Sequence, residues 1–168
     1  MRRLLSIVLT GALAASLQGL SAQKLAWQSD AQAKTGQHQL VQYLYPEQVT
    51  VAAGKPSVVE LHFRVNEGLH INSHTPSQKS LIPTRLLVEE PTGLTVASVD
   101  FPAGSEYSPA FDPQDKLSVY SGEFVLRAHI TAKPGDHLVQ AGLRYQACDA
   151  QTCYPPKTVP VALSVIAK

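Results

Sequence analysis

Apolar and polar residues alternate with a period of two in three segments of the chain. Segment 58–66 carries apolar residues at every second position with Glu, His and Arg between them, and segments 123–130 and 137–145 repeat this pattern. Because successive side chains of a β-strand point to opposite faces, each segment is predicted to be a strand with one buried face. Shorter strands are predicted at 40–45, 69–72, 84–90, 94–101 and 159–166.

The buried face of each predicted strand needs a partner. No segment carries apolar residues at helical spacing, and Pro-Thr-Gly at 91–93 and Lys-Pro-Gly-Asp at 133–136 provide turns between strands. Two sheets can then be buried only against each other. The pattern therefore predicts an all-β, single-domain, immunoglobulin-like antiparallel β-sandwich. Segment 103–116, which contains Pro and Gly residues, is expected to be its longest loop.

The N-terminal region differs in composition from the rest of the chain. Arg2 and Arg3 precede an apolar run at 4–17, and small residues follow up to Ala22, which is the order found in secretory signal peptides. Cleavage on export would place the mature protein outside the cytoplasm without stable membrane insertion, and an uncleaved anchor is the alternative. We expect three parts: a signal peptide at 1–22, a flexible segment at 23–37 and a domain at 38–168.

Composition and motifs exclude several classes of function. The chain of 168 residues has a formal net charge of +1, so no field of one sign is available to attract nucleic acid or an anionic membrane. It has no glycine-rich phosphate loop and no nucleophile-elbow motif. His70 and His74 have metal-ligand spacing, but they fall on a predicted strand and the loop after it, which is a weak metal signature. We therefore expect neither a metal nor another cofactor.

The two cysteines, Cys148 and Cys153, are predicted to form a disulfide. An even number of cysteines in an exported protein indicates an intramolecular bond, and strands at 137–145 and 159–166 would place both cysteines at the bend of a hairpin. The bond would close a ring of roughly six residues and contribute about 2 kcal/mol in the loop-entropy account. Because that gain is small for a structural bond, we favour a redox-active disulfide, and a passive one stays open.

Access, more than thiol acidity, is expected to control this disulfide. No basic residue or helix N-terminus adjoins the cysteines, and the carboxylate of Asp149 would disfavour a thiolate on its neighbour Cys148. A shielding loop would regulate access, and Tyr107 and Phe111 in segment 103–116 are its candidate aromatic residues. Ordinary packing of both rings on the edge of the sandwich is the alternative.

Several motifs around the cysteines resemble one known family. They are Tyr-Gln-Ala-Cys at 145–148, Cys-Tyr-Pro-Pro at 153–156 and Thr-Val-Pro-Val at 158–161, supported by Glu-Gly-Leu-His-Ile at 67–71, Phe-Pro-Ala-Gly at 101–104 and Val-Tyr-Ser-Gly at 119–122. Together they resemble the N-terminal periplasmic domain of the thiol:disulfide interchange protein DsbD over residues 38–168. The Tyr-Gln-x-Cys and Cys-x-Pro-Pro elements are the most specific part of this resemblance.

The resemblance implies an immunoglobulin-like redox domain. Such a domain would relay electrons from a thioredoxin-like or membrane donor to oxidised periplasmic proteins, a protein-disulfide reductase type of activity that depends on partner proteins. Cys148 and Cys153 would be the active pair, with Cys153 forming mixed disulfides, and Phe111 would lie in the cap loop. The other residues of the active-site surroundings would be Tyr107, His70, Asn72, Asp149, Tyr145 and Tyr154.

The chain departs from the family at several positions. His70 and Asn72 stand where the best-known member has tyrosines beside the active site, and four residues separate the cysteines where that member has five. The sequence lacks the family's transmembrane and C-terminal thioredoxin-like domains, so we expect a separate electron donor. Two other functions stay open: a passive immunoglobulin-like binding or assembly module with a structural disulfide, and a chaperone-like module that binds by strand addition.

Overall fold

The part of the chain that the structure describes contains twelve strands, joined by turns and loops. The structure is a computed structural model, and it describes residues 39–44, 48–110 and 112–168. No helix occurs within these ranges, so they offer no helical membrane span. The expected signal peptide and flexible segment lie outside them. The strands are β1 (Val41–Leu44), β2 (Gln48–Val51), β3 (Ser57–Val65), β4 (His70–Asn72), β5 (Arg85–Glu89), β6 (Leu94–Asp100), β7 (Ser105–Tyr107), β8 (Leu117–Tyr120), β9 (Glu123–Ala132), β10 (Gly135–Tyr145), β11 (Ala147–Cys148) and β12 (Lys157–Ala167).

Two four-stranded sheets enclose the main core. The first has the order β1-β3-β9-β6 and the second the order β2-β12-β10-β5. Their neighbouring strands are antiparallel, except for the parallel pair β2 and β12. Every second side chain of β3 from Val59 to Val65 is apolar and at most 4% exposed, whereas Val58, Glu60 and Arg64 on the other face are exposed. The predicted all-β, immunoglobulin-like sandwich is confirmed, because the alternating segments bury the faces that the pattern indicates.

The sequence pattern does not predict the third, smaller sheet, which has the order β11-β4-β8-β7. Segment 103–116, expected to be one loop, contains β7, and β7 pairs with β8 from Ser105 opposite Val119 to Tyr107 opposite Leu117. Strands β1 and β4 fall within the predicted segments 40–45 and 69–72. Strands β2, β7, β8 and β11 are not predicted, because two to four residues without flanking signals show no clear period of two.

The hairpin of β10 and β12 leads the chain into this third sheet. The two strands pair from Gly135 opposite Ala167 to Tyr145 opposite Lys157, as expected for strands on either side of the cysteines. The connection between them contains β11, which pairs with β4 of the third sheet and not with a strand of the second. The cysteine segment therefore belongs to the small sheet at one end of the sandwich.

A row of aromatic rings joins the main core to the small sheet. Phe63 packs between Tyr43 and Phe124, with ring centroids 5.4 Å apart in each pair, and Phe124 stacks on Tyr120 of β8 at 4.9 Å. The Tyr120 hydroxyl donates to the Pro102 carbonyl at 2.9 Å and accepts a hydrogen bond from the backbone N–H of His74 at 3.1 Å. Packing in the core thus positions the segment that leads into β7.

Close backbone packing also positions β7. The hydroxyls of Ser73 and Ser118 lie 2.8 Å apart, and Gly104 sits against them. A Cβ atom at Gly104 would come within 2.9 Å of the Ser73 Cβ atom. Only glycine allows this approach, which brings the start of β7 against β4 and β8.

Candidate active site

The two cysteines form a disulfide whose halves differ in exposure. Cys148 and Cys153 face each other as an isolated antiparallel pair, with their Cα atoms 3.9 Å apart. Cys148 lies on β11 and is only 4% exposed, whereas Cys153 is exposed. Exchange begins when an outside thiolate attacks one sulfur of a disulfide. In this arrangement Cys153 is accessible to such a thiolate, whereas Cys148 is largely inaccessible.

Asp149 organises the loop between the cysteines. Its carboxylate accepts hydrogen bonds from the backbone N–H groups of Gln151 and Thr152 and from the Tyr154 hydroxyl, each at 2.7 Å. The bond from Tyr154, followed by the two backbone bonds, lowers the pKa of the Asp149 carboxyl, and the bond and charge of Asp149 raise the pKa of Tyr154. The carboxylate thus accepts hydrogen bonds that hold the loop backbone and Tyr154 in place, a role that the sequence did not indicate.

His70 lies directly opposite Cys148. The two residues are Cα partners in the antiparallel pair of β4 and β11, and His70 is only 7% exposed. Its ring packs against Tyr107 of β7, with centroids 4.1 Å apart. Burial lowers the pKa of the His70 imidazole, and the negative charge of Asp149 opposes this shift in part.

A small pocket of about 80 Å³ opens beside the disulfide. Segment 103–116 and the start of β8 contribute Tyr107, Pro109 and Leu117 to its wall, so Tyr107 does lie next to the cysteines. Phe111, the other candidate for the cap, lies outside the described residues. The pocket is lined by His70, Tyr107, Pro109, Leu117, Cys148, Asp149, Gln151, Thr152 and Cys153. Sequence analysis missed Pro109 and Leu117, since only the pairing of β7 with β8 brings them here.

The remaining candidate residues lie behind the pocket. Asn72, 1% exposed, donates to the Ile82 carbonyl at 3.0 Å and lies 3.5 Å from the side-chain oxygen of Gln146. Gln146 in turn donates to the Tyr154 carbonyl at 3.3 Å. The Gln of the Tyr-Gln-x-Cys motif therefore links β4 to the end of the cysteine loop.

Tyr145 belongs to the main core and not to the pocket wall. It is 2% exposed, and burial raises the pKa of its phenol while hydrogen bonds with the backbone of Leu40 and Val41 oppose that shift. Its position is therefore set by the pairing of β10 and the packing of β1.

The two histidines with metal-ligand spacing do not converge. His74 stacks on Phe101 with centroids 3.9 Å apart, and its Nδ1 atom lies 3.0 Å from the Thr84 carbonyl, while His70 contacts Tyr107. Within the described ranges, no three His, Cys, Asp or Glu side chains are grouped as a metal site would require.

Replacing Asp149 by alanine is expected to make the disulfide easier to reduce. The variant loses the carboxylate that holds the loop in the shape in which the two sulfurs meet, so its reduction potential should become less negative than that of the wild type. Because hydrogen bonding lowers the pKa of this carboxyl, the effect is fully present above its ordinary value of 3.8. As the pH falls through the lowered value, the wild-type potential should approach that of the neutral Asp149→Asn variant.

Equilibration with glutathione redox buffers measures this potential. Asp149→Asn is the matched control, because its amide oxygen can still accept from the two backbone N–H groups and should retain most of the wild-type potential. Equal potentials for the wild type and Asp149→Ala would show that the loop does not depend on the carboxylate.

Comparisons with known proteins place the chain in a family. A family model described as thiol:disulfide interchange protein DsbD, N-terminal, matches residues 40–164, and a search of curated proteins finds no match. Among solved structures, the chain is similar to the reduced DsbD N-terminal domain of Neisseria meningitidis, with 20% identity, a TM-score of 0.44 and coverage of 67% of this chain and 80% of that chain.

Two further structures show comparable similarity. The complex between the DsbD and PilB N-terminal domains of Neisseria meningitidis matches at 21% identity and a TM-score of 0.42, covering 62% of this chain and 73% of that chain. The N-terminal periplasmic domain of ScsB from Proteus mirabilis matches at 11% identity and a TM-score of 0.47, covering 74% of this chain and 43% of that one. Because the family model spans most of the sequence, the chain belongs to the family of N-terminal domains of the thiol:disulfide interchange protein DsbD.

Proposed function

We propose that this protein is a periplasmic thiol–disulfide exchange domain that relays electrons from a thioredoxin-like or membrane donor to oxidised periplasmic proteins. Thiol:disulfide interchange is the activity for which its family is named. The relay, its direction and the roles of Cys148 and Cys153 are the proposed part. The observation that carries the proposal is the unequal exposure of the two cysteines beside a small pocket.

The unequal exposure supports a defined order of steps. A thiolate of the donor attacks the Cys153 sulfur, the Cys148–Cys153 bond breaks, and its electron pair leaves on the Cys148 sulfur. A second donor thiolate then attacks the donor sulfur of this mixed disulfide, so that the donor leaves oxidised and the domain holds two thiols. The reverse sequence, begun by Cys153 on a substrate disulfide, passes both electrons to the substrate.

The partner and the location form part of the same proposal. The neisserial DsbD N-terminal domain occurs in a complex with the PilB N-terminal domain, and we propose a comparable docking of a thioredoxin-like partner over Cys153. Export by a signal peptide at 1–22, followed by a flexible segment at 23–37 and the domain at 38–168, would bring the protein to the periplasm. The exchange needs only thiols, so no cofactor is invoked.

Trapping of mixed disulfides tests this function. A Cys148→Ser variant keeps the exposed Cys153 but lacks the thiol that would resolve an adduct, so it should accumulate mixed disulfides with thioredoxin-like proteins on non-reducing gels. The matched control is Cys153→Ser, which retains only the buried Cys148 and should form few adducts. Absence of adducts from both variants would contradict the proposal.

The reduction potential separates exchange from a passive structural bond. A structural disulfide in an exported protein has a potential below about −300 mV, while an exchanging one lies above that value. We expect the reduction potential of the Cys148–Cys153 disulfide to lie above about −300 mV. A lower potential would instead support the passive binding or assembly module.

A further inference from the structure

The register of the small sheet places an imidazole and the buried cysteine side by side. His70 and Cys148 are directly opposite in the antiparallel pair of β4 and β11. Side chains of opposite residues point to the same face of a sheet, with Cβ atoms about 4.5–5.5 Å apart. Both residues line the same pocket and are at most 7% exposed, so the His70 ring and the Cys148 sulfur share one small, largely buried space.

Few other ionisable groups face this imidazole. The loop after β11 contributes Asp149, whose charge acts on His70, together with Cys153 on the pocket wall. From β7, Tyr107 packs against the ring. No lysine or arginine is among the residues that line the pocket. His70 is thus the one group in the pocket wall that gains and loses a proton near neutral pH.

We propose that His70 accepts the proton of the Cys148 thiol in the step that re-forms the Cys148–Cys153 disulfide. This inference deepens the proposed exchange function and rests on it. It explains how a cysteine that is withheld from solvent can act as a nucleophile, since only a thiolate attacks a disulfide and burial disfavours the charged form.

The step balances as an exchange between three sulfurs. Cys153 first attacks a substrate disulfide and forms a mixed disulfide, releasing one substrate thiolate. Cys148 then passes its proton to the imidazole, and its sulfur attacks that of Cys153. The bond between Cys153 and the substrate breaks, and the electron pair leaves on the second substrate sulfur. The dithiol of the domain loses two electrons, the substrate disulfide gains them, and the proton returns from His70 to solvent or to the departing thiolate.

The protonation state of His70 suits this role. Burial lowers its pKa, so the imidazole is neutral at neutral pH and one ring nitrogen is available as an acceptor. As the pH falls through the lowered pKa, the ring becomes charged and can no longer accept the proton. Ring closure should therefore slow in acid along the titration of His70.

Stopped-flow oxidation by dithiobis-nitrobenzoate, an aromatic disulfide with a coloured thiolate, tests the inference on the full reduced domain. The first coloured thiolate reports attack by Cys153 and the second reports ring closure by Cys148. In His70→Gln, the second phase should slow by about tenfold or more at pH 7, because an unassisted thiol is only a few per cent ionised there. The first phase should change less than twofold.

The pH profile distinguishes proton transfer from packing. Closure in the wild type should level off above the pKa of His70, whereas in His70→Gln it should keep rising with pH until the Cys148 thiol itself ionises. His70→Phe keeps an aromatic ring against Tyr107 without a base, and it should behave like His70→Gln. His129→Gln, on the exposed face of β9 where the ring pairs with Asp100, is the matched control and should match the wild type.

Three outcomes would overturn the inference. In the first, ring closure in both His70 variants keeps the wild-type rate and pH profile. In the second, ring closure in both variants slows by the same factor at every pH, which would assign His70 to packing alone. A wild-type domain without a first phase would remove Cys153 as the entry point and overturn the proposed function as well. Because the probe is a small molecule, normal closure kinetics together with failed trapping would count against the partner relay alone.

Discussion

Replacing Phe63 by alanine is expected to lower the free energy of unfolding by about 3–5 kcal/mol. Phe63 is fully buried and packs against both Tyr43 and Phe124. The truncation removes a large apolar side chain and leaves a cavity that rigid neighbouring strands can fill only in part. Because domains of this kind are stable by only about 5–15 kcal/mol, the loss is a large fraction of the total.

Denaturant unfolding measures this change. Val58→Ala is the matched control in the same strand, since Val58 is 53% exposed and its truncation should change the stability by less than about 0.5 kcal/mol. Similar stabilities for the two variants would mean that the aromatic row does not anchor the core. The row ends at Tyr120 in the small sheet, so Phe63→Ala should also loosen the segment that carries Tyr107.

Replacing Tyr107 by alanine is expected to speed the reduction of the disulfide by small thiols about two- to tenfold. The ring lines the pocket beside both cysteines and packs on His70. Removing an aromatic contact worth about 0.5–1.5 kcal/mol opens the pocket wall, and each 1.4 kcal/mol corresponds to a factor of about ten. Access to the sulfurs should therefore increase.

The rate of reduction by dithiothreitol, followed by thiol alkylation in quenched samples, measures this effect. Tyr107→Phe keeps the ring and should retain the wild-type rate. Glu106→Ala changes the exposed neighbour that pairs with Lys116 and controls for altered surface charge. An unchanged rate in Tyr107→Ala would show that this side of the pocket does not limit access, and the shielding role would then fall to another segment.

The longer strands were predictable because their signal is local. Strands β3, β9 and β10 have nine to eleven residues, which is enough to show which face is apolar. The short strands of the small sheet form because partners distant in sequence satisfy their backbone hydrogen bonds. No periodic pattern in the sequence predicts that pairing. Segment 103–116 therefore looked like a loop although β7 lies within it.

The candidate site was predictable in its chemistry but not in its geometry. The cysteine pair, Asp149, His70 and Tyr107 were all candidates from the sequence, and the structure brings them around one pocket. Pro109 and Leu117 gave no sequence signal. Tyr145 is the first residue of the Tyr-Gln-x-Cys motif, yet alternation along β10 turns it into the core.

The sequence by itself determined which faces of the long strands are buried and that two cysteines at a hairpin bend would bond, because alternation and covalent pairing are properties of neighbouring residues. The tertiary structure alone decided that Cys148 is buried and Cys153 exposed, that His70 lies opposite Cys148, and that Tyr107 joins them. These arrangements depend on the four short strands of the small sheet, which meet from distant parts of the chain. Such pairings are set by the packing of the whole domain, and no local pattern encodes them.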